Sequence, residues 1–106
     1  MTSKKPAKQK RAKLPRSSDN TKQFAKDWER LSHSGRYDMN RLKEAMMLLI
    51  ANDAPLPPEY LDHELSGEWN GFRECHVGGD FLLIYELHTD NSIIFTRAGT
   101  HAELFE

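Results

Sequence analysis

The sequence predicts an α+β domain, with a two-helix hairpin packed on a twisted antiparallel sheet of three to four strands. Three observations predict it. Apolar residues recur at helical spacing in two stretches between about residues 20 and 51. From Trp69 the period changes to two, and three strand-like runs follow one another across short turns. The chain has 106 residues, enough for one modest core and too few for two.

The elements follow in order. Residues 1–18 hold two prolines, many lysines and almost no large apolar residue, so this arm is expected to be largely disordered. Its end, about 12–17, could add a short edge strand, since Pro15 restricts it to an edge. The body is expected to occupy residues 19–106. Ser18, Asp19 and Asn20 are N-cap candidates for a helix over about 20–33 carrying Phe24, Trp28 and Leu31. Gly35 ends it. Asp38 caps a second helix whose buried stripe is Met39, Leu42, Met46, Leu49 and Ile50. Pro55, Pro57 and Pro58 then force an extended connection, pinned to the core by Leu56, Tyr60, Leu61 and Leu65.

The strands come last. In GFRECHV, Phe72, Glu74 and His76 share one side and Arg73, Cys75 and Val77 the other. Gly78-Gly79 makes a tight turn. FLLIYEL (81–87) is apolar on both sides and reads as a central strand. After the turn His88-Thr89-Asp90-Asn91, SIIFTRAG (92–99) completes an antiparallel meander. The helices must cover one sheet face, which leaves the other free for polar side chains.

Charge divides the chain. Of its 15 Lys and Arg, seven lie in residues 1–18, which hold no acid; eight remain against all 16 Asp and Glu in residues 19–106, a formal −8. A basic arm on an acidic body is either a solvated tail or an arm that tracks phosphate. There is no apolar run long enough to span a membrane and no apolar core to the charged N-terminus that would make it a secretory signal. Cys75 is the single cysteine, so no internal disulfide forms and a cytoplasmic setting is the simplest reading.

His63, Glu74, His76 and Asp80 fall within eighteen positions, and His101 and Phe105 sit at the end of the chain. Such a density of ionisable groups suits a site better than a small core. His33 and His88 read as surface. Histidine titrates near neutrality. Metal-free RNA cleavage needs one group to deprotonate the ribose 2′-hydroxyl and another to protonate the leaving 5′-oxygen, with a cation to steady the phosphorane. The histidines, their carboxylate neighbours, Arg73 and Arg97 could furnish that set. A metal site is the competing use of the same residues. The chain has no HExxH, no paired Cys and no His-x-His spacing, although His63, His76, His101 and Glu74 could still converge.

From Asp38 to Phe105 the sequence resembles the YafQ branch of the RelE/ParE superfamily of bacterial toxins. The resemblance rests on DMNRLKEAMMLLI, PLPPEYLDHELSGEWNGFRECHV, GDFLLIYEL and RAGTHAELF. It implies a RelE-like compact domain and a ribosome-dependent mRNA endonuclease that needs no cofactor. It also implies a cognate antitoxin that wraps the toxin and, with it, represses their operon; contact with operator DNA runs through that complex. Matched residue by residue, it implies catalytic roles for His63, His76, Asp80 and His101, and substrate contacts for Arg97 and Phe105. Glu74 stands where the family often has Asp, and Phe81 where Trp is common, which keeps an aromatic platform for a base. His76 and His101 are the expected proton-transfer pair, with Glu74 and Asp80 as carboxylate partners and Arg73 assisting Arg97 on phosphate. Two other classes stay open: a non-catalytic inhibitor of the gyrase-directed type on the same scaffold, and an attenuated toxin kept as antitoxin-binding co-repressor.

Overall fold

The structure is a computed structural model that describes residues 13–106. Most of the basic arm, residues 1–12, lies outside the described residues.

Strand β1 (Ser17–Asn20) comes first and runs parallel to the last strand. It lies later than the predicted edge strand and takes the residues expected to cap the first helix. The cap is instead Thr21, whose hydroxyl accepts the Phe24 amide at 2.9 Å and donates to the Thr96 carbonyl at 2.8 Å. β1 is fully exposed and all polar, so no apolar alternation announced it. Leu14–Arg16 are also tied to the body. The Asn52 and Asn91 side chains donate to the Leu14 carbonyl at 3.0 and 3.2 Å, and Arg16 donates to the Leu49 and Ile50 carbonyls at the end of the second helix.

Helix α1 (Lys22–Ser34) buries Phe24, Asp27 and Leu31 and stops at Gly35, whose φ of 70° favours a residue without Cβ. Helix α2 (Met39–Ala51) starts at Asp38, which accepts the Arg41 amide at 3.0 Å, and buries Leu42, Ala45 and Leu49. Its partner across the chain is the sheet. Arg41 on α2 donates to the Val77 carbonyl and lies 4.8 Å over the Tyr60 ring, which ties helix, strand and Pro-rich connection together.

That connection contains strand β2 (His63–Glu64), flanked by 3₁₀ turns at Pro58–Tyr60 and Gly67–Trp69. The meander is β3 (Arg73–Gly78), β4 (Phe81–His88) and β5 (Ser92–Thr100), and α3 (His101–Phe105) closes the chain. The sheet has five strands in the order β1-β5-β4-β3-β2. The three predicted strands form its centre; the two extra ones are short flanks.

On the helix side, Phe81, Leu83 and Tyr85 of β4 pack with Cys75, Val77, Ile93, Phe95 and Ala98 against Phe24, Leu31, Leu42 and Leu49. Each such buried side chain stabilises the fold by about 1.5–3 kcal/mol. The opposite face is less bare than its strand pattern predicted. Leu82, Ile84 and Leu104 form a second apolar cluster there, roofed by Leu65, Trp69, Phe72 and Phe105. The 3₁₀ turn and α3 fold back over the sheet and bring this cover, which leaves the polar side chains one end of the face.

Candidate active site

The cluster at that end is a product of register. Antiparallel pairing of β2 and β3 sets His63 opposite Glu74. His76 lies two residues beyond Glu74, on the same strand face. Glu74 Oε1 is 3.2 Å from His63 Nε2 and 3.7 Å from His76 Nε2, and the two imidazole rings are 6.2 Å apart. Glu74 is only 6% exposed, whereas both histidines reach solvent. The longer Glu therefore reaches both histidines. His63 Nδ1 lies 2.7 Å from the Leu61 carbonyl, and His76 Nδ1 lies 3.4 Å from the Gly79 carbonyl.

A second group meets this end of the sheet from the chain terminus. β3, β4 and β5 align His76, Leu82 and Gly99 in one row. Gly99 is thus two inter-strand spacings, about 10 Å, from His76, and His101 starts α3 two residues later. Asp80, in the β3–β4 turn, accepts the His101 amide at 3.2 Å. Thr100 and Glu103 form a reciprocal capping box around the same turn. A Cβ at Gly99 would meet Glu103 Oε1 at 2.7 Å and would displace that side chain from its cap. The His101 side chain is 60% exposed; its ring stands 5.0 Å from Phe105, and Glu106 lies 3.7 Å from its Nδ1. Phe105 in turn meets Trp69 edge-on at 5.7 Å, and Trp69 meets Phe72 at 5.4 Å.

Three of the predicted residues sit elsewhere. Phe81 was expected as a stacking platform, but it is 5% exposed and packs against Tyr37 on the helix side. Its place as the first residue of β4, with the helix-facing parity of Leu83 and Tyr85, puts it in the core. The aromatics that reach the site side are the half-buried Phe72, Trp69 and Phe105 instead. Arg97, expected on phosphate, is gripped by Asp27 of α1, with Nε 2.8 Å from Oδ2. Arg73 donates to Asp62 at 2.9 Å and to the Tyr85 hydroxyl at 3.3 Å. Both arginines are thus engaged within the protein first.

Asp27, Asp62, Tyr85 and Trp69 were not singled out by sequence pattern. Asp27 carried a signal: it lies among Phe24, Trp28 and Leu31, where an acid must find partners. It is fully buried and accepts from Arg30, Arg97 and the Ala98 amide. Burial pushes its carboxyl up, but the bonds from Arg97, Arg30 and Ala98 outweigh that and hold it below the ordinary Asp range. Cys75 is no nucleophile. Burial, and then the charges of Asp62 and Glu74, push its thiol up to about 12. Among the described residues, no three His, Cys, Asp or Glu are arranged to hold a metal ion.

Such a site has histidines and carboxylates grouped at one end of the sheet, a half-buried aromatic row beside them, and a cysteine that is buried and protonated. A model of the family described as bacterial toxin of type II toxin–antitoxin system, YafQ, matches residues 16–106. The mRNA interferase toxin YafQ of Escherichia coli K12 is 51% identical over 83 residues, which span 78% of this chain and 88% of that protein. The E. coli DinJ–YafQ toxin–antitoxin complex contains a chain that superposes with a TM-score of 0.78 at 46% identity, over 88% of this chain and 100% of that one. A metal-bound toxin from Helicobacter pylori superposes with a TM-score of 0.74 at 37% identity, over 84% and 98% of the two chains.

Proposed function

The chain belongs to the YafQ family of bacterial toxins of type II toxin–antitoxin systems, and from that membership we propose that it is an mRNA interferase that cuts mRNA in the ribosomal decoding site by histidine acid–base catalysis. The observation that carries the mechanism is Glu74 of β3 within reach of both His63 of β2 and His76 of β3, with His101 at the start of α3, its amide held by Asp80 of the β3–β4 turn.

RNA brings its own nucleophile, the 2′-hydroxyl, so a nuclease need only move two protons and steady charge. His76 and His101 take these tasks; Gly99, two residues before His101, stands two strands across the sheet from His76. His63 shares the carboxylate of Glu74 and orients or relays. Asp80 acts through α3, since its carboxylate holds the His101 amide. Phe105 and Trp69 offer ring faces to a base. A cognate antitoxin binds the toxin and neutralises it, and the pair contacts operator DNA. Among the described residues no helix is long and apolar enough to cross a membrane, and we place the reaction in the cytoplasm with the ribosomes.

Primer extension on one mRNA, with and without ribosomes and with a chelator, tests the reading. Ribosome-dependent cuts that survive the chelator are expected. DNA breaks without mRNA cuts would favour the gyrase-directed alternative. The arm supplies a second test. Residues 1–12 carry Lys4, Lys5, Lys8, Lys10 and Arg11. Removing them spares the Leu14–Arg16 anchors and should flatten the salt dependence of ribosome binding, by up to about 0.7 in log–log slope per lost phosphate contact. An unchanged slope removes the arm from RNA binding.

A further inference from the structure

We infer that Asp62, gripped by Tyr85 and Arg73, is a positioning residue that aims the His63 imidazole at Glu74; the inference rests on the endoribonuclease reading of the site. Asp62 immediately precedes His63, and its two oxygens are held by different strands. Tyr85 donates its hydroxyl to Oδ1, and Arg73 Nη2 donates to Oδ2 at 2.9 Å. Arg73 Nε donates to the Tyr85 hydroxyl at 3.3 Å, which closes a ring of three groups. The ring is rigidly founded. Tyr85 is 1% exposed in the central strand, and Arg73 is its register partner on β3.

Beyond the clamp, this segment is held by a short pairing, by the Leu65 amide donating to the Phe72 carbonyl at 2.9 Å and by Arg73 Nη1 lying 3.6 Å from Glu64. β2 is two residues long and pairs with β3 only at His63↔Glu74 and Glu64↔Arg73. Leu61, just before Asp62, adopts a φ of 51°, a left-handed conformation that a leucine keeps only where its surroundings impose it. Its side chain is 59% exposed, so packing of that side chain does not impose it. Leu61 caps the 3₁₀ turn, its amide donating to the Pro58 carbonyl at 3.0 Å, between Tyr60, buried before it, and Asp62, clamped after it. The resulting bend aims the Leu61 carbonyl at His63 Nδ1, 2.7 Å away. Nδ1 is thus turned to that carbonyl and Nε2 faces Glu74 at 3.2 Å. The clamp sets ring direction through the backbone, as an orienting carboxylate does directly at other catalytic histidines.

Two electrostatic facts suit a permanent clamp. Burial and the Asp62 acceptor push the Tyr85 phenol up, so it stays a donor. The Asp62 and Tyr85 bonds hold the Arg73 guanidinium above its usual range against the opposing effect of burial.

The test uses the full-length toxin with Asp62→Asn and Tyr85→Phe, purified from its antitoxin complex. Three measurements are made: cleavage on saturating ribosomes, its pH profile, and the NMR titration of the His63 ring. The expected result is a fall in kcat of about 10- to 100-fold, the scale of a small misplacement of a catalytic group. KM for ribosomes should hold, and the His63 titration should shift. Asp62→Glu, which keeps the carboxylate, should recover part of the rate. A role in stability alone would lower Tm and leave the pH profile and His63 titration as in wild type; that result overturns the inference. Should Tyr85→Phe fail to fold, the partly exposed Asp62→Asn decides. Should wild type itself not cleave, the nuclease reading falls, and the His63 titration in Asp62→Asn still decides the positioning.

Discussion

The His63–Glu74–His76 half of the site rests on strands, and the Asp80–His101–Phe105 half rests on one short helix held by caps. In the first half, ladder register places the side chains, and a nearly buried carboxylate links them. In the second, five residues form α3, too few to be stable as a helix alone. That helix depends on Thr100, Glu103, Asp80 and, behind them, Arg30, whose Nη2 lies 3.3 Å from Glu103. Arg30 is itself bonded to buried Asp27 at 2.8 Å. One half is thus fixed by the sheet, and the other by a polar chain that starts inside the helix–sheet interface. The halves should fail differently.

The largest effect should come from removing one proton-transfer group in each half. His76→Ala and His101→Ala are each expected to lower the cleavage rate by about 10²- to 10⁴-fold, the range for lost general acid–base catalysis. Both side chains reach solvent, so Tm should barely move. Single-turnover cleavage and a thermal melt on the same samples check both statements. Full activity in both variants would falsify the histidine mechanism.

A smaller effect that separates the halves comes from Asp27→Ala. The change strands Arg97 and the Ala98 amide and releases Arg30. Breaking a buried pair from one side costs about 3–5 kcal/mol, measurable by urea unfolding. Hydrogen exchange should quicken in α3 before it does in β3. The pH dependence has a definite sign. The Asp27 carboxyl is held below its ordinary range in the folded state, so its contribution is complete above the unfolded value of about 3.9 and is lost as pH falls through the lower folded value. Asp27→Asn should flatten the stability curve in that acid window. If wild type and Asn variant lose stability in parallel there, Asp27 is not the group responsible.

The same division marks what could be read from the sequence. The strand-borne half was legible because period two puts Glu74 and His76 on one face whatever else happens. His63 was noticed but placed in a connection, since two residues between prolines and glycines give no strand signal. The cap-borne half was legible as residue types only. Nothing local says that Asp80 will meet the His101 amide; that contact exists because β4 and β5 pair Phe81 with Thr100. Phe81 shows the limit of analogy by residue type. An aromatic follows the turn as expected, but strand parity and Tyr37 take it into the core. Arg97 and Arg73 looked like free cations because their partners, Asp27 and Asp62, lie 70 and 11 residues away.

The smallest effect bears on whether α3 matters as a helix or only as the carrier of a histidine. Thr100 accepts the Glu103 amide at 3.2 Å, and Glu103 Oε1 accepts the Thr100 amide at 2.8 Å. Thr100→Ala removes one arm of that box and should cost about 0.5–2 kcal/mol. Because α3 covers Leu82 and Ile84 through Leu104, some of the loss should appear in global unfolding. Most should appear as local fraying, seen as faster exchange at residues 101–105. His101 would then sample its working position less often, and activity should fall about as far as α3 opens. His76→Ala gives the contrast: its loss is chemical and leaves α3 exchange unchanged. If Thr100→Ala frays α3 but leaves cleavage intact, His101 does its work from a flexible tail, and the second half of the site needs no helix to hold it.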